Sequence, residues 1–277
     1  YIWTEADKKW KLQIYPYGSY FQDLSRHNNH TFFVSTSGKI TRYRYIANEW
    51  KSDIFVEYYP MADFVAVMDE QHVLSAHRDG NIVAWTFINN KWQSEVLKKT
   101  GWVRDMLVQS EKGRVAIAAG SDSAIYTLIQ GKWRISSSFH AEAVTQASKD
   151  YFIVDGTELA RLSLHGKVQN SQRIDKAYEN INGNPAYPSV MTGTDWYGLY
   201  SLKQIRGRWH TETIARSKSE ELDDEYYSAV LLRPGRIAAI TRRCLEIYQE
   251  TDQWNLIRSE CLDDEEDPYN STHTLLR

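Results

Sequence analysis

Between residues 62 and 97 the apolar positions fall into four short runs separated by turn residues. Ala62 to Gln71 (ADFVAVMDEQ) predicts a first strand and His72 to Ala76 (HVLSA) a second. A turn at Arg78-Asp79-Gly80 follows, then a third strand from Asn81 to Asn89 (NIVAWTFIN) and a fourth from Trp92 to Leu97 (WQSEVL). β-branched and aromatic residues fill these runs, as strands favour. No comparable helical period is found along the chain.

The pattern repeats. A tryptophan recurs just after a turn at Trp10, Trp50, Trp92, Trp133, Trp209 and Trp254, with Val168 filling the one gap. Four antiparallel strands per repeat of about 40 residues describe a propeller blade. Blades are predicted over 18–58, 62–99, 102–140, 143–175, 179–216 and 225–262, as one domain over 1–277. Tyr1 to Ile14 supplies an additional hairpin, and Thr272 to Leu276 can return to complete it, because closure by both termini removes free sheet edges. Seven blades are expected, with six and a peripheral hairpin as the alternative.

The turn before each tryptophan is placed at Asn48-Glu49, Asn90-Lys91, Gly131-Lys132, Gly166-Lys167, Gly207-Arg208 or Asp252-Gln253. Asn, Gly and Asp tolerate the positive φ of a two-residue hairpin loop. In this register Tyr43 faces Ile54, Trp85 faces Val96, Tyr248 faces Ile257 and Trp3 faces Ile14, favourable aromatic-aliphatic pairs. The repeated aromatics are read as blade-to-blade packing. The same register sets Cys244 opposite Cys261 at a non-hydrogen-bonded pair, within disulfide reach. A bridge there predicts an oxidising, extracellular or periplasmic setting, two reduced cysteines a cytoplasmic one. Sequons at Asn29-His30-Thr31 and Asn270-Ser271-Thr272 agree weakly with secretion. No leader is recognised before Tyr1; a removed leader or a trimmed chain would each account for that.

The stretch from Val73 to Trp85 (VLSAHRDGNIVAW) resembles a WD40 repeat, in which a Ser-x-x-Asp-Gly turn precedes an aliphatic strand ending in Trp. The tryptophan-after-turn pattern also looks like blades of secreted sugar-binding and polysaccharide-active propellers. Asp-x-Asp-Gly calcium loops and sialidase Asp-boxes are absent, so the resemblance reaches the propeller superfamily and no single family. It implies a ligand site where second-to-third-strand loops and blade-to-blade connections meet around a central channel. The candidates there are Tyr59, His77, Arg78, Asp79, Trp102, Arg104, Asp195, Trp196, Tyr226 and Arg242. Exposed aromatic faces stack on sugars, and Arg offers a bidentate fork for carboxylates. Turns also use Asp and Gly for backbone reasons alone.

A net charge of −3 argues against a general nucleic-acid binder. No apolar run reaches membrane-spanning length, so no membrane insertion is expected. No zinc spacing, phosphate loop or nucleophile elbow occurs, and neither cofactor nor metal is expected. Acidic stretches at 220–225 and 263–267 read as a solvated rim facing a basic partner. The resulting expectation is a monomeric recognition scaffold binding a protein or glycan on its loop face. The alternative is a secreted carbohydrate-active enzyme, a polysaccharide lyase or glycosidase, with its site in the channel.

Overall fold

The computed structural model describes residues 2–6, 9–13, 21–28, 30–36, 39–47, 49–57, 61–99, 101–109, 115–136, 139–147, 150–163, 165–184, 186–195, 197–217, 225–241 and 244–261. They form an all-β propeller of six four-stranded antiparallel blades plus a separate two-stranded hairpin, Ile2–Ala6 with Lys9–Gln13. The blades cover 21–57, 62–99, 103–141, 143–173, 180–216 and 226–261, each ordered from inner to outer strand. In the third blade one long strand, Val115–Ile129, fills the second and third places in succession: its start pairs with Val103–Gln109 and its end with Lys132–Ile135. The expectation of seven blades is thereby corrected to six. Among the described residues the first hairpin pairs only with itself, and the segment expected to complete it, Thr272 to Leu276, lies outside them.

The core lies between blades, because strand alternation sends successive side chains to opposite neighbours. In the second blade Val65, Val67, Val73, Val83 and Trp85 pack with Phe33 and Ile40 of the first. The intervening Ala66, Met68, Leu74, Ala76, Ile82 and Ala84 pack with Ala116, Ala118 and Tyr126 of the third. Each later pair of adjacent blades shares a cluster of the same kind.

The recurring tryptophans close the outer seam. Trp92 meets Phe33 edge-on with ring centroids 6.2 Å apart, and Trp209 meets Phe152 at 5.5 Å, each reaching back to the preceding blade. Trp254 receives Lys203 Nζ over its ring at 5.6 Å, and Arg42 lies over both Phe87 and Trp92. The Trp209 backbone exchanges two hydrogen bonds with the Gln172 side chain of the fourth blade.

Four of the six turns lie one residue earlier than the sequence predicts. Ile46 pairs with Glu49, Ile88 with Lys91 and Ile129 with Lys132. The loops are therefore Asn89-Asn90, Gln130-Gly131 and Arg206-Gly207, with positive φ at Asn89 (51°), Asn90 (59°), Gln130 (51°) and Gly131 (73°), and Ala47 after Ile46 also has positive φ. Both loop positions need positive φ in this turn type, so the Gly or Asn occupies the second of them. The four predicted cross-strand pairs change accordingly. Tyr43 faces Ser52, Trp85 faces Ser94, Tyr248 faces Leu256 and Trp3 faces Leu12.

Cys244 and Cys261 do face each other, with Cα atoms 4.0 Å apart, and form a disulfide. Two departures from the assumed hairpin cancel here. The turn uses three residues, Thr251 to Gln253, and a register shift between Ile247 and Tyr248 restores the pairing.

Along the channel, side chains of one blade cap the inner-strand backbone of the next. Asp23 accepts from Val65 N–H at 2.9 Å and Ser25 from Val67 N–H at 3.1 Å. Asp105 accepts from Val144 N–H at 3.0 Å and Thr145 from Gly183 N–H at 2.6 Å. Thr192 donates to the Ala229 carbonyl at 2.9 Å.

Two outcomes are expected. Asp105 is 5% exposed and also accepts from Met106 N–H. Asp105→Ala strands both amide donors and is expected to cost at least about 2 kcal/mol, read as a lowered Tm, with Asp105→Asn milder. Reducing the Cys244–Cys261 bridge, which closes a 17-residue separation, is expected to remove about 3 kcal/mol. Titration with a thiol reagent should find no thiol in native, unreduced protein and two after reduction.

Candidate functional site

One cavity of about 820 Å³ opens on the channel face and draws its walls from five blades. Its geometry originates in a repeated irregularity of the inner strands. In the first blade Phe21 pairs with Thr36 and Asp23 with Ser35, so Gln22 is an extra residue without its own partner. The same shift leaves Asp63 between Ala62 and Phe64, Arg104 between Val103 and Asp105, and Tyr227 between Tyr226 and Ser228. In the fourth and fifth blades Glu142 N–H and Glu179 N–H donate to carbonyls (Val154 and Thr194) whose residues already pair with Ala143 and Asn180. A β-bulge re-aims a side chain in this way without ending the strand. Each blade thus contributes one bulge residue, and Gln22, Asp63, Arg104, Glu142 and Glu179 all line the cavity.

The charges are arranged in bridges. Arg78, from the second-to-third-strand turn of its blade, donates through Nε and Nη2 to Asp63 Oδ1 at 3.2 and 3.0 Å. Arg104 Nη1 donates to Glu142 Oε1 at 2.9 Å, spanning the third and fourth blades, and Glu142 Oε2 accepts from Gly156 N–H at 3.1 Å. Glu179 is exposed and makes no side-chain ion pair among the described residues. Trp102 stands on the connection between the second and third blades, 70% exposed, with the Arg104 guanidinium 6.0 Å from its ring centroid. Gly120 permits this placement, since a Cβ there would collide with the Trp102 carbonyl. The cavity therefore combines an open aromatic face with guanidinium and carboxylate groups, a surface able to stack on one face of a ligand and hydrogen-bond its polar edge.

The remaining sequence candidates lie elsewhere. His77 is 3% exposed and off the cavity wall. Its Nε2 lies 2.7 Å from Ser75 Oγ, which accepts from Trp85 Nε1–H at 2.7 Å. This network closes the WD40-like stretch and packs it. Asp79 holds its own turn by accepting from Asn81 N–H and from the Asn81 side-chain amide. Asp195 accepts from Tyr197 N–H at 3.0 Å and from the Tyr200 hydroxyl at 2.9 Å. Lys176 Nζ donates to that hydroxyl at 2.7 Å and to Asp195 at 3.5 Å. The Tyr200 bond, with the Asp195 charge, raises the Lys176 pKa above its ordinary value; burial raises that of Tyr200. Tyr226 lines a second hollow of about 380 Å³, where its hydroxyl meets that of Tyr248 at 3.0 Å and Tyr248 donates to Glu246 at 2.6 Å. Tyr59, Trp196 and Arg242 lie outside the described residues. The structure thus brings together Arg78, Trp102 and Arg104 of the candidates. It adds Gln22, Asp63, Glu142 and Glu179, whose one signal in the sequence is a polar residue at the head of successive first strands, 41, 38 and 37 residues apart from Asp63 onward when Arg104 is included.

No protein-family model matches the chain, and no curated protein matches it in sequence. Solved structures do match in shape. A protein of Bacteroides uniformis ATCC 8492, provisionally classed as a 6-phosphogluconolactonase, superposes with a TM-score of 0.65 at 8% identity, covering 87% of this chain and 85% of that one. The WD40 β-propeller domain of Doa1 superposes with a TM-score of 0.64 at 12% identity, covering 88% and 83%. At such identities the likeness is one of fold alone: the chain has a β-propeller fold, and no family is assigned.

Proposed function

We propose that this chain is a ligand-recognition scaffold, a single propeller unit whose channel mouth takes up a protein segment or a glycan. The observation that supports this most is the set of non-equivalent bulge residues surrounding a cavity of about 820 Å³ beside the exposed Trp102. The five that line it are one amide, three carboxylates and one guanidinium, so the wall suits one composite ligand better than several identical sugars. Arg104 and Glu142 serve as paired donor and acceptor, Trp102 as a stacking platform, and Arg78 with Asp63 as the wall contributed by the second blade. An oxidising compartment, extracellular or periplasmic, fits this reading because the Cys244–Cys261 bridge persists there. Arg and exposed aromatic groups beside carboxylates could equally serve a carbohydrate-active enzyme, so the assay must detect products.

A glycan array and a peptide panel, followed by calorimetric titration of the best binder, test the proposal. Trp102→Ala and Arg104→Ala are each expected to weaken binding about 10-fold or more, as central aromatic and Arg anchors do. Trp102 is exposed and the Arg104 side chain half-exposed, so Tm should stay within a degree or so of wild type. Wild-type affinity in both variants would remove the site. New reducing or unsaturated ends released from a bound polysaccharide would replace the scaffold with the enzyme.

A further inference from the structure

The turns between third and fourth strands lie on the face opposite the cavity, because strands alternate in direction and the second-to-third turn carrying Arg78 is at the cavity. Three of these tips share a pattern: Ile88-Asn89-Asn90-Lys91-Trp92, Ile129-Gln130-Gly131-Lys132-Trp133 and Ile205-Arg206-Gly207-Arg208-Trp209. The loop residues are explained by positive φ, and Trp92, Trp133 and Trp209 pack inward from the tips. The two flanking positions answer to neither demand. Ile88, Ile129 and Ile205 are 42%, 41% and 52% exposed, and each pairs across its turn with an exposed Lys91, Lys132 or Arg208. The fourth blade sets Lys167 beside Val168, which is 43% exposed. Among the described residues none of these cations makes an ion pair, and no carboxylate occurs within the four tips. The matching turns carry Glu49 in the first blade and Asp252 in the sixth, so the cationic arc covers the second to fifth blades.

We propose that this arc docks the propeller on an anionic lipid bilayer. A bilayer offers a flat negative surface to tips presented on one face of a wheel, and attracts each nearby Lys or Arg. The aliphatic neighbour of every cation selects a bilayer over an anionic polymer. An exposed Ile gains by burial at the headgroup-acyl boundary, whereas a sulfated polysaccharide rewards the cations alone. The docking leaves the channel mouth facing away from the membrane, open to a soluble ligand, and does not depend on what that ligand is.

Co-sedimentation of the whole chain with vesicles tests this. Wild type is expected to pellet with phosphatidylcholine vesicles containing phosphatidylserine and to remain in solution with phosphatidylcholine alone. The triple variant Lys91→Glu, Lys132→Glu, Arg208→Glu should lose at least about 100-fold in partitioning, at about fivefold per cation removed and more for reversal. Ile88→Ser, Ile129→Ser, Ile205→Ser should weaken vesicle binding without changing retention on heparin resin. Trp102→Ala should pellet as wild type, which separates this face from the mouth. Equal pelleting with both vesicle types, no pelleting with either, or heparin retention that tracks the cations without vesicle binding would each overturn the proposal. Unchanged circular dichroism and Tm in the variants establish that the loss is one of docking.

Discussion

Every inner strand of this wheel has one edge with no further strand to pair with, and in the second, fourth, fifth and sixth blades backbone N–H or C=O groups along that edge meet a side chain of the preceding blade. That constraint shapes the rest. The preceding blade answers it with a short polar side chain: Asp23 and Ser25 for the second blade, Asp105 for the fourth, Thr145 for the fifth, Thr192 for the sixth. A buried backbone group left unpaired costs about as much as a lost hydrogen bond, so these contacts dictate how closely adjacent blades approach. The approach is tight enough to require glycine at Gly183, where a Cβ would meet the Gln146 backbone of the neighbouring blade. Apolar burial between blades then follows from strand alternation, and the tryptophans seal the circumference where the blades diverge.

The cavity is a by-product of the same geometry. A bulge at the head of each inner strand turns one side chain inward without breaking the ladder, and five of the six meet over the channel. The chemistry of the mouth and the stability of the wheel therefore reside in neighbouring residues with separate duties. Asp105 holds the next blade while Arg104, one position earlier, faces the cavity.

This division explains what could be read from the chain alone. Blade limits were legible because Trp50, Trp92, Trp133 and Trp209 follow turns that need Gly or Asn, residues whose backbone role is chemical and local. The cross-strand register was not, since a turn loop with positive φ at both positions accepts a non-glycine first residue such as Gln130 or Arg206, and the reading slipped by one. Cys244 and Cys261 survived that slip because a three-residue turn and a bulge offset each other. Trp102 and Arg78 were found as polar or aromatic residues in connections. Asp63, Glu142 and Glu179 were not, for a polar residue at the head of a strand is recognised as a bulge only when both strands are seen together. His77 was drawn into the candidate list by its loop position, yet its ring serves the Trp85-Ser75 network.

The bulge has one more implication. Gln22, Asp63, Arg104 and Tyr227 have no partner of their own in the strand pairing, so their side chains can change while the ladder stays. Glu142 and Glu179 keep a backbone bond to the second strand of their blades, and that bond too is independent of the side chain carried there. Substitution at the five that line the cavity rewrites the charge of its mouth and leaves the backbone ladders in place; at Glu142 it also removes the bridge to Arg104 and the bond from Gly156 N–H.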